Sequence, residues 1–272
     1  MAQEFINWNP NPEIINFFGI SIRYYGLLFV SGLIISYFIL KRIFENEHIP
    51  IEALEKLATY SILGILIGAR LIHCIFYDPT YYLNNPIEIF LPIQILPGGE
   101  IEFTGYRGLA SHGGVLGLII ALILYSKKTK QSIIKTIDLI AIVAPIGGFF
   151  IRMANLMNSE IIGKPSTLPW SFIFERVDYI PRHPTQIYEG LSYLLISFIL
   201  FRLYKLKEYR KGYLFGMSLI LVFTARFFIE FVKEHQVDYE SQMILDMGQI
   251  LSIPYILIGI GFVISSIKHS KN

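Results

Sequence analysis

Seven apolar runs of about twenty residues dominate this chain, and no other feature constrains its fold as strongly. They cover approximately 21–40, 57–77, 108–125, 137–155, 186–204, 213–232 and 247–267. At 1.5 Å per residue, a helix of ~20 residues crosses a hydrocarbon core of roughly 30 Å. Only 16% of the 272 residues are charged, against ~25% in soluble domains, and mean hydropathy is +0.52. These runs predict an all-α polytopic membrane protein with about seven transmembrane helices, built as a single integral membrane domain over 1–272. The fourth run contains Pro145, Gly147 and Gly148. They predict a broken helix, which neighbours must satisfy and which opens room for a ligand.

The distribution of Lys and Arg predicts orientation. Lys41, Arg42, Lys56, Lys127, Lys128, Lys130, Lys135, Arg202, Lys205, Lys207, Arg210, Lys211, Lys268 and Lys271 fall on one side of the spans. Arg107, Lys164, Arg176, Arg182 and Lys233 fall on the other. The first, larger set is expected to be cytoplasmic. That places the N-terminus outside, the C-terminus inside and the two long loops, about 78–107 and 156–185, outside. Small loop elements are expected there, such as a short strand or interfacial segment at Trp170–Phe174. Pro79, Pro86, Pro92, Pro97, Pro165, Pro169, Pro181 and Pro184 punctuate these loops. The segment before the first run has no basic n-region and the run has no evident cleavage site, so it is expected to stay in the membrane.

Small residues four apart, Gly64/Gly68, Gly113/Gly117 and Gly212/Gly216, predict close helix packing. The single cysteine, Cys74, excludes an intramolecular disulfide and is expected to pack in a core.

Four arginines lie in or at the edges of the runs: Arg23, Arg70, Arg152 and Arg226. A guanidinium at membrane depth costs ~2.5–3.5 kcal/mol or more and cannot lose its proton. It must face protein, water or an anion, and a lipid phosphate is the anion most available there. Arg152, Asn155 and Ser159 share one face if the chain is helical throughout. An arginine fork beside an amide suits a phosphodiester, although a carbonyl-capped helix end is equally consistent. Arg226 and Glu230, four apart, form either an intrahelical ion pair or a cation held in position by its partner. His112 opens the third run, where an imidazole serves as general base, headgroup ligand or structural donor. Gly113 and Gly114 are expected to clear space beside it. In Arg182-His183-Pro184-Thr185-Gln186-Ile187-Tyr188-Glu189, Pro184 marks a helix start and Glu189 lies in the first turn, where the dipole favours an anion.

Together these motifs resemble the bacterial phosphatidylglycerol–prolipoprotein diacylglyceryl transferases. The matching segments are Ile22-Arg23-Tyr24-Tyr25-Gly26, His112-Gly113-Gly114, Arg152-x-x-Asn155-x-x-Asn158-x-Glu160-x-x-Gly163, Arg182-His183-Pro184-x-Gln186-x-Tyr188-Glu189, Arg226-Phe227-x-x-Glu230-Phe231 and Met247-Gly248-Gln249-x-Leu251-Ser252-Ile253-Pro254. They occur in the family's order and span nearly the whole chain. Departures are Ile151 and Ala154, where the family usually has glycine, and His235-Gln236, where many members have Pro-Asp.

The resemblance implies transfer of a diacylglyceryl group from phosphatidylglycerol to the lipobox cysteine of a prolipoprotein signal peptide. It implies action at the bilayer of the bacterial cytoplasmic (inner) membrane, with the site towards the extracytoplasmic side. No cofactor, metal or nucleic acid is implied. The expected roles are phosphate binding by Arg152 and Arg226, and deprotonation or headgroup binding by His112. Asn155 and Glu160 are expected to orient the first arginine, and Glu230 to orient Arg226. Tyr25 and Tyr188 are expected to line the headgroup site. Asn158, Gly163, His183, Gln186, Glu189, Gly113, Gly114 and Arg70 support it, with Arg70 on a second phosphate or a carboxylate such as Glu160. The competing reading is a transporter or channel for an anionic solute, which intramembrane arginines and a broken helix would also suit.

Overall fold

The computed structural model describes residues 5–17, 20–91, 93–96, 98–103, 108, 110–206, 210–235 and 243–268. Pro92, Pro97, Arg107, Lys207, Gln236 and Lys271, named above, lie outside the described residues, as do the side chains of Ser111 and Lys268. The chain divides into two compact units: Met1–Ile43 with Ile134–Asn272, and Phe44–Ile133.

Six described helices are long and apolar enough to cross a membrane: α1 (Tyr24–Asn46), α2 (Ile51–Phe76), α6 (Ile133–Asn158), α7 (Thr185–Leu206), α8 (Tyr213–Glu230) and α9 (Met247–Lys268). The remaining predicted span is α5 (Ser111–Thr129). It is helical, but His112 and its glycines at one end and Lys127 and Lys128 at the other dilute its apolar stretch. Most helices outrun their apolar runs, because backbone hydrogen bonding continues into polar residues. The first is the exception: Ser21–Arg23 belong to strand β3 (Ile20–Arg23), which pairs with β2 (Glu13–Phe17). Arg23 lies in this hairpin, 62% exposed and 3.1 Å from Glu13.

In the first unit, α6 is continuous through Pro145, which corrects the expectation of a broken helix. Proline removes one intrahelical bond and disturbs the preceding carbonyls. The acceptor it frees is Ala141 O; in the adjoining position Ser197 Oγ on α7 donates to Ile142 O at 2.6 Å, which ties α7 to this turn. Gly32 on α1 lies on Phe150, and Gly148 on Tyr193, which draws α1 and α7 onto α6. Helices α8 and α9 close through Gly216 on Gly259, stacked Phe223 and Tyr255 (4.3 Å) and edge-on Phe215 and Phe262 (5.1 Å). Gly212 lies at the end of that seam, against Phe262. It precedes α8 with φ +89°, and its N–H donates to buried Asp138 Oδ2 at 2.6 Å.

A three-stranded sheet, ordered β1 (Ile6–Trp8), β6 (Phe172–Phe174) and β7 (Pro181–Arg182), lies beyond the end of α6. The strand expected near Trp170–Phe174 is therefore present. Trp8 Nε1 donates to Leu156 O at 2.9 Å. Its ring packs on the core of Leu156, Ile162, Phe172 and Phe174, which fixes the last turn of α6.

In the second unit, α2 and α5 meet glycine to glycine. A Cβ on Gly64 would sit 2.6 Å from Gly117 O, and Gly113 rests on Gly68 O and Ile72. Both predicted glycine pairs are packing contacts. Gly113 and Gly114 face α2 (Gly114 against Ile65), rather than clearing room for the imidazole. Cys74 is free and buried, as expected. Short helices α3 (Pro79–Asn84) and α4 (Ile87–Phe90) and hairpin β4 (Ile93–Ile95)–β5 (Ile101–Phe103) complete the unit.

Candidate functional site

The chemistry-bearing side chains of the first unit converge where α6 ends and α7 begins. Pro184 supplies the first helical acceptor of α7, taking a bond from Ile187 N at 3.0 Å, and loses nothing by lacking its own N–H. Glu189 therefore falls past the first turn. It is buried, and its carboxylate forms a close ion pair with Arg152 Nε, so an arginine and not the helix dipole is its main partner. Gly190 leaves the space that Arg152 and Met153 occupy.

Arg152 NH1 donates to Asn155 Oδ1 at 3.3 Å. Asn155 Nδ2 donates onward to Glu160 Oε2 at 3.1 Å, and Asn158 Nδ2 to Glu160 Oε1 at 3.0 Å. The Arg152–Asn155–Glu160 chain therefore exists as expected, with Asn158 as a second donor. Ser159 does not share the face: α6 ends at Asn158, and Ser159 has φ +56°. The turn that carries Glu160 is held by α7, through Gln186 Nε2 to Glu160 O at 2.6 Å and Thr185 Oγ1 to Ile161 O at 2.8 Å. Gly163 fits between His183 and Val232, too close for any side chain.

Arg226 and Glu230 do not form the expected pair. Glu230 turns to Lys233, whose Nζ lies 3.2 Å from Oε2, because the i+3 cation competes successfully with the i−4 one. Its carboxylate rests on Gly248 of α9. At that start of α9, Gln249 Oε1 accepts from Asp246 N at 3.0 Å, one half of a capping box, and Asp246 O accepts from Gln249 N at 2.9 Å. Arg226 makes no hydrogen bond or ion pair among the described residues. Tyr193 lies within electrostatic range of Arg152, Arg226 and Glu189. Arg152 is a partly committed cation and Arg226 one without a partner among the described residues, a combination suited to an anion with several oxygens.

Arg182 is saturated by structure. It holds Asp178 (2.6 Å from NH2), Glu234 (2.6 Å from NH1) and Gly163 O (3.2 Å). The guanidinium keeps the Asp178 carboxyl below its ordinary range. Tyr188 OH accepts from Trp170 Nε1 at 2.8 Å and lies 3.2 Å from His183 Nδ1. Trp only donates, so the Tyr188 proton is available to His183, whose basicity burial reduces. Tyr25, in the first turn of α1, is exposed.

Four predicted residues belong to the second unit, of which Gly113 and Gly114 pack against α2. His112 is exposed in the first turn of α5. Arg70 is 8% exposed and donates to Ile89 O (3.1 Å), Tyr82 OH (3.2 Å), Gly108 O (3.4 Å) and, very closely, Glu88 O. It ties α3 and α4 to α2, and Glu160 bonds the two asparagines instead.

Sequence reasoning missed Lys233 and Tyr193. Lys233 had a signal, a lysine three residues after a carboxylate at a helix end. Tyr193 had none, being one aromatic among many. No group of three or more His, Cys, Asp or Glu that could hold a metal occurs among the described residues.

The family model for prolipoprotein diacylglyceryl transferase matches residues 12–265. A phosphatidylglycerol–prolipoprotein diacylglyceryl transferase of Bacteroides fragilis is 54% identical over 259 residues, covering 94% of each chain. Those of Tolumonas auensis (96% of this chain, 97% of the relative) and Porphyromonas gingivalis (97% and 96%) are each 41% identical. With matches of this extent, the chain belongs to the prolipoprotein diacylglyceryl transferase family.

Proposed function

We propose that this chain is the enzyme that moves the diacylglyceryl group of phosphatidylglycerol onto the lipobox cysteine thiol of a prolipoprotein, the first step of lipoprotein maturation. The sulfur attacks the glyceryl carbon next to the phosphate, a C–S bond forms and the C–O bond breaks. The electron pair leaves with glycerol 1-phosphate, which gains a negative charge as diester becomes monoester. The thiol proton passes to a base.

Two requirements follow. A thiol of reference pKa ~8.5 is only a few per cent thiolate at pH 7, so a base or a positive field must raise that fraction. The departing phosphate needs cations arranged in advance. Arg226, with no protein partner among the described residues, and Arg152, held by Glu189 and Asn155, meet the second requirement. That pairing is the observation that carries the reading. His112 serves as base or headgroup ligand. Asn155 and Glu160 orient Arg152, and Tyr25 and Tyr188 line the headgroup site.

The protein works as one integral membrane domain of about seven spans in the bacterial cytoplasmic (inner) membrane. Its N-terminus lies outside, its C-terminus inside, and the site faces the extracytoplasmic side. The Lys/Arg asymmetry and helix α5, added to six apolar helices, support this arrangement. The transporter reading has no support from the relatives. Incubating purified protein with phosphatidylglycerol and a lipobox peptide should add one diacylglyceryl mass to the peptide. Anion flux with no peptide modification would overturn the assignment.

A further inference from the structure

Lys233 carries a charge that the proposed chemistry does not use. Its side chain is 4% exposed, with Nζ 3.2 Å from Glu230 Oε2 and 3.7 Å from Glu189 Oε1. An ammonium buried this deeply loses several kcal/mol of hydration, and two buried carboxylates offset that loss. Arg152, Glu189, Lys233 and Glu230 therefore form an alternating row whose charges cancel. Glu230 has two cations within helical reach, Arg226 four residues before it and Lys233 three after. It takes Lys233, and its carboxylate is seated on Gly248, where a Cβ would lie 2.6 Å from Oε2. Arg226 is left without a partner among the described residues.

We propose that Lys233 is a positioning residue. By neutralising Glu230 and sharing Glu189, it keeps Arg226 from closing onto Glu230 and leaves that guanidinium free for the substrate phosphate. This rests on the phosphate-binding reading above. Without Lys233, Glu230 would draw in Arg226, and Glu189 would hold Arg152 alone.

The test measures both phosphatidylglycerol binding and peptide transfer in detergent, for wild type, Lys233→Met, Lys233→Arg and Lys233→Met/Glu230→Gln, with a thermal melt for each. Lys233→Met should raise Kd and KM for the lipid by about tenfold or more, with a smaller change in kcat. Lys233→Arg should stay within about threefold of wild type, since it retains the charge. The double variant should recover most of the lost affinity, because the carboxylate that would capture Arg226 is gone. A merely structural lysine predicts the opposite, a double variant no better than the single. Wild-type affinity in a folded Lys233→Met protein, or a double variant as weak as Lys233→Met, overturns the proposal. If Lys233→Met does not fold, the double variant decides: affinity near wild type supports the proposal and a tenfold loss (about 1.4 kcal/mol) overturns it. A wild-type protein that binds the lipid with this variant pattern but modifies no peptide overturns the reaction and leaves the assignment of Lys233 standing.

Discussion

Arg70 and Arg226 both sit in apolar helices and bear the same kind of insertion cost, yet they meet it in opposite ways. Arg70 is buried and gives its donors to three backbone carbonyls and a tyrosine hydroxyl within its own unit. It also stacks over the Tyr82 ring, 4.8 Å from the centroid. Arg226 has no such partners among the described residues, and the carboxylate one turn away is engaged by Lys233. An arginine in a membrane helix is therefore not by itself a sign of a ligand. Donors left without protein partners are the sign, and among the described residues Arg226 has them.

The comparison breaks first at the cations. Arg226→Gln and Arg152→Gln should each lower kcat/KM for diacylglyceryl transfer by about 10²-fold or more, the usual effect of removing one charge-stabilising donor; the melting temperature should change little for Arg226→Gln and fall for Arg152→Gln, which strands the buried Glu189 carboxylate. Transfer kinetics with a melt on the same preparation check this. Arg70→Met should do the reverse. It strands buried carbonyls, at ~1–3 kcal/mol each, and should lower the melting temperature by several degrees, with KM for the lipid within about threefold of wild type.

Smaller effects sharpen the picture outside the membrane. Trp8→Phe keeps the ring in the core but removes the bond to Leu156 O, and should cost about 1 kcal/mol in a denaturation experiment. The Asp178–Arg182 pair is partly exposed and should contribute no more than ~1 kcal/mol. The folded Asp178 pKa lies below its unfolded value. Its contribution is therefore complete above about pH 4 and is lost as pH falls through the folded pKa. Asp178→Asn should show less acid sensitivity in that window and a small loss at neutral pH, read from melts across pH.

Much of the fold was legible because the bilayer imposes length and polarity on every span. Helix positions and close packing at Gly64/Gly68 and Gly113/Gly117 were available from spacing alone, and the Arg152–Asn155–Glu160 chain from the family resemblance. What spacing concealed was competition. Pro145 reads as a break, yet α6 runs on through it, with Ser197, more than fifty positions away, bonded to the turn just before it. Glu230 reads as the partner of Arg226 until Lys233 and Gly248 are in place around it. Glu189 reads as a first-turn anion until the end of α6 brings Arg152 to it. Each misreading is local geometry overruled by a contact from another helix, or by a better-placed residue on the same one.

The most direct measurement is phosphatidylglycerol affinity for Arg226→Gln and Arg70→Met beside wild type, in detergent and at fixed ionic strength. A large loss of affinity in folded Arg226→Gln, with Arg70→Met near wild type once folded, is the expected result. Equal losses in both, or unchanged affinity in Arg226→Gln, would contradict the claim that the Arg226 guanidinium is the phosphate site.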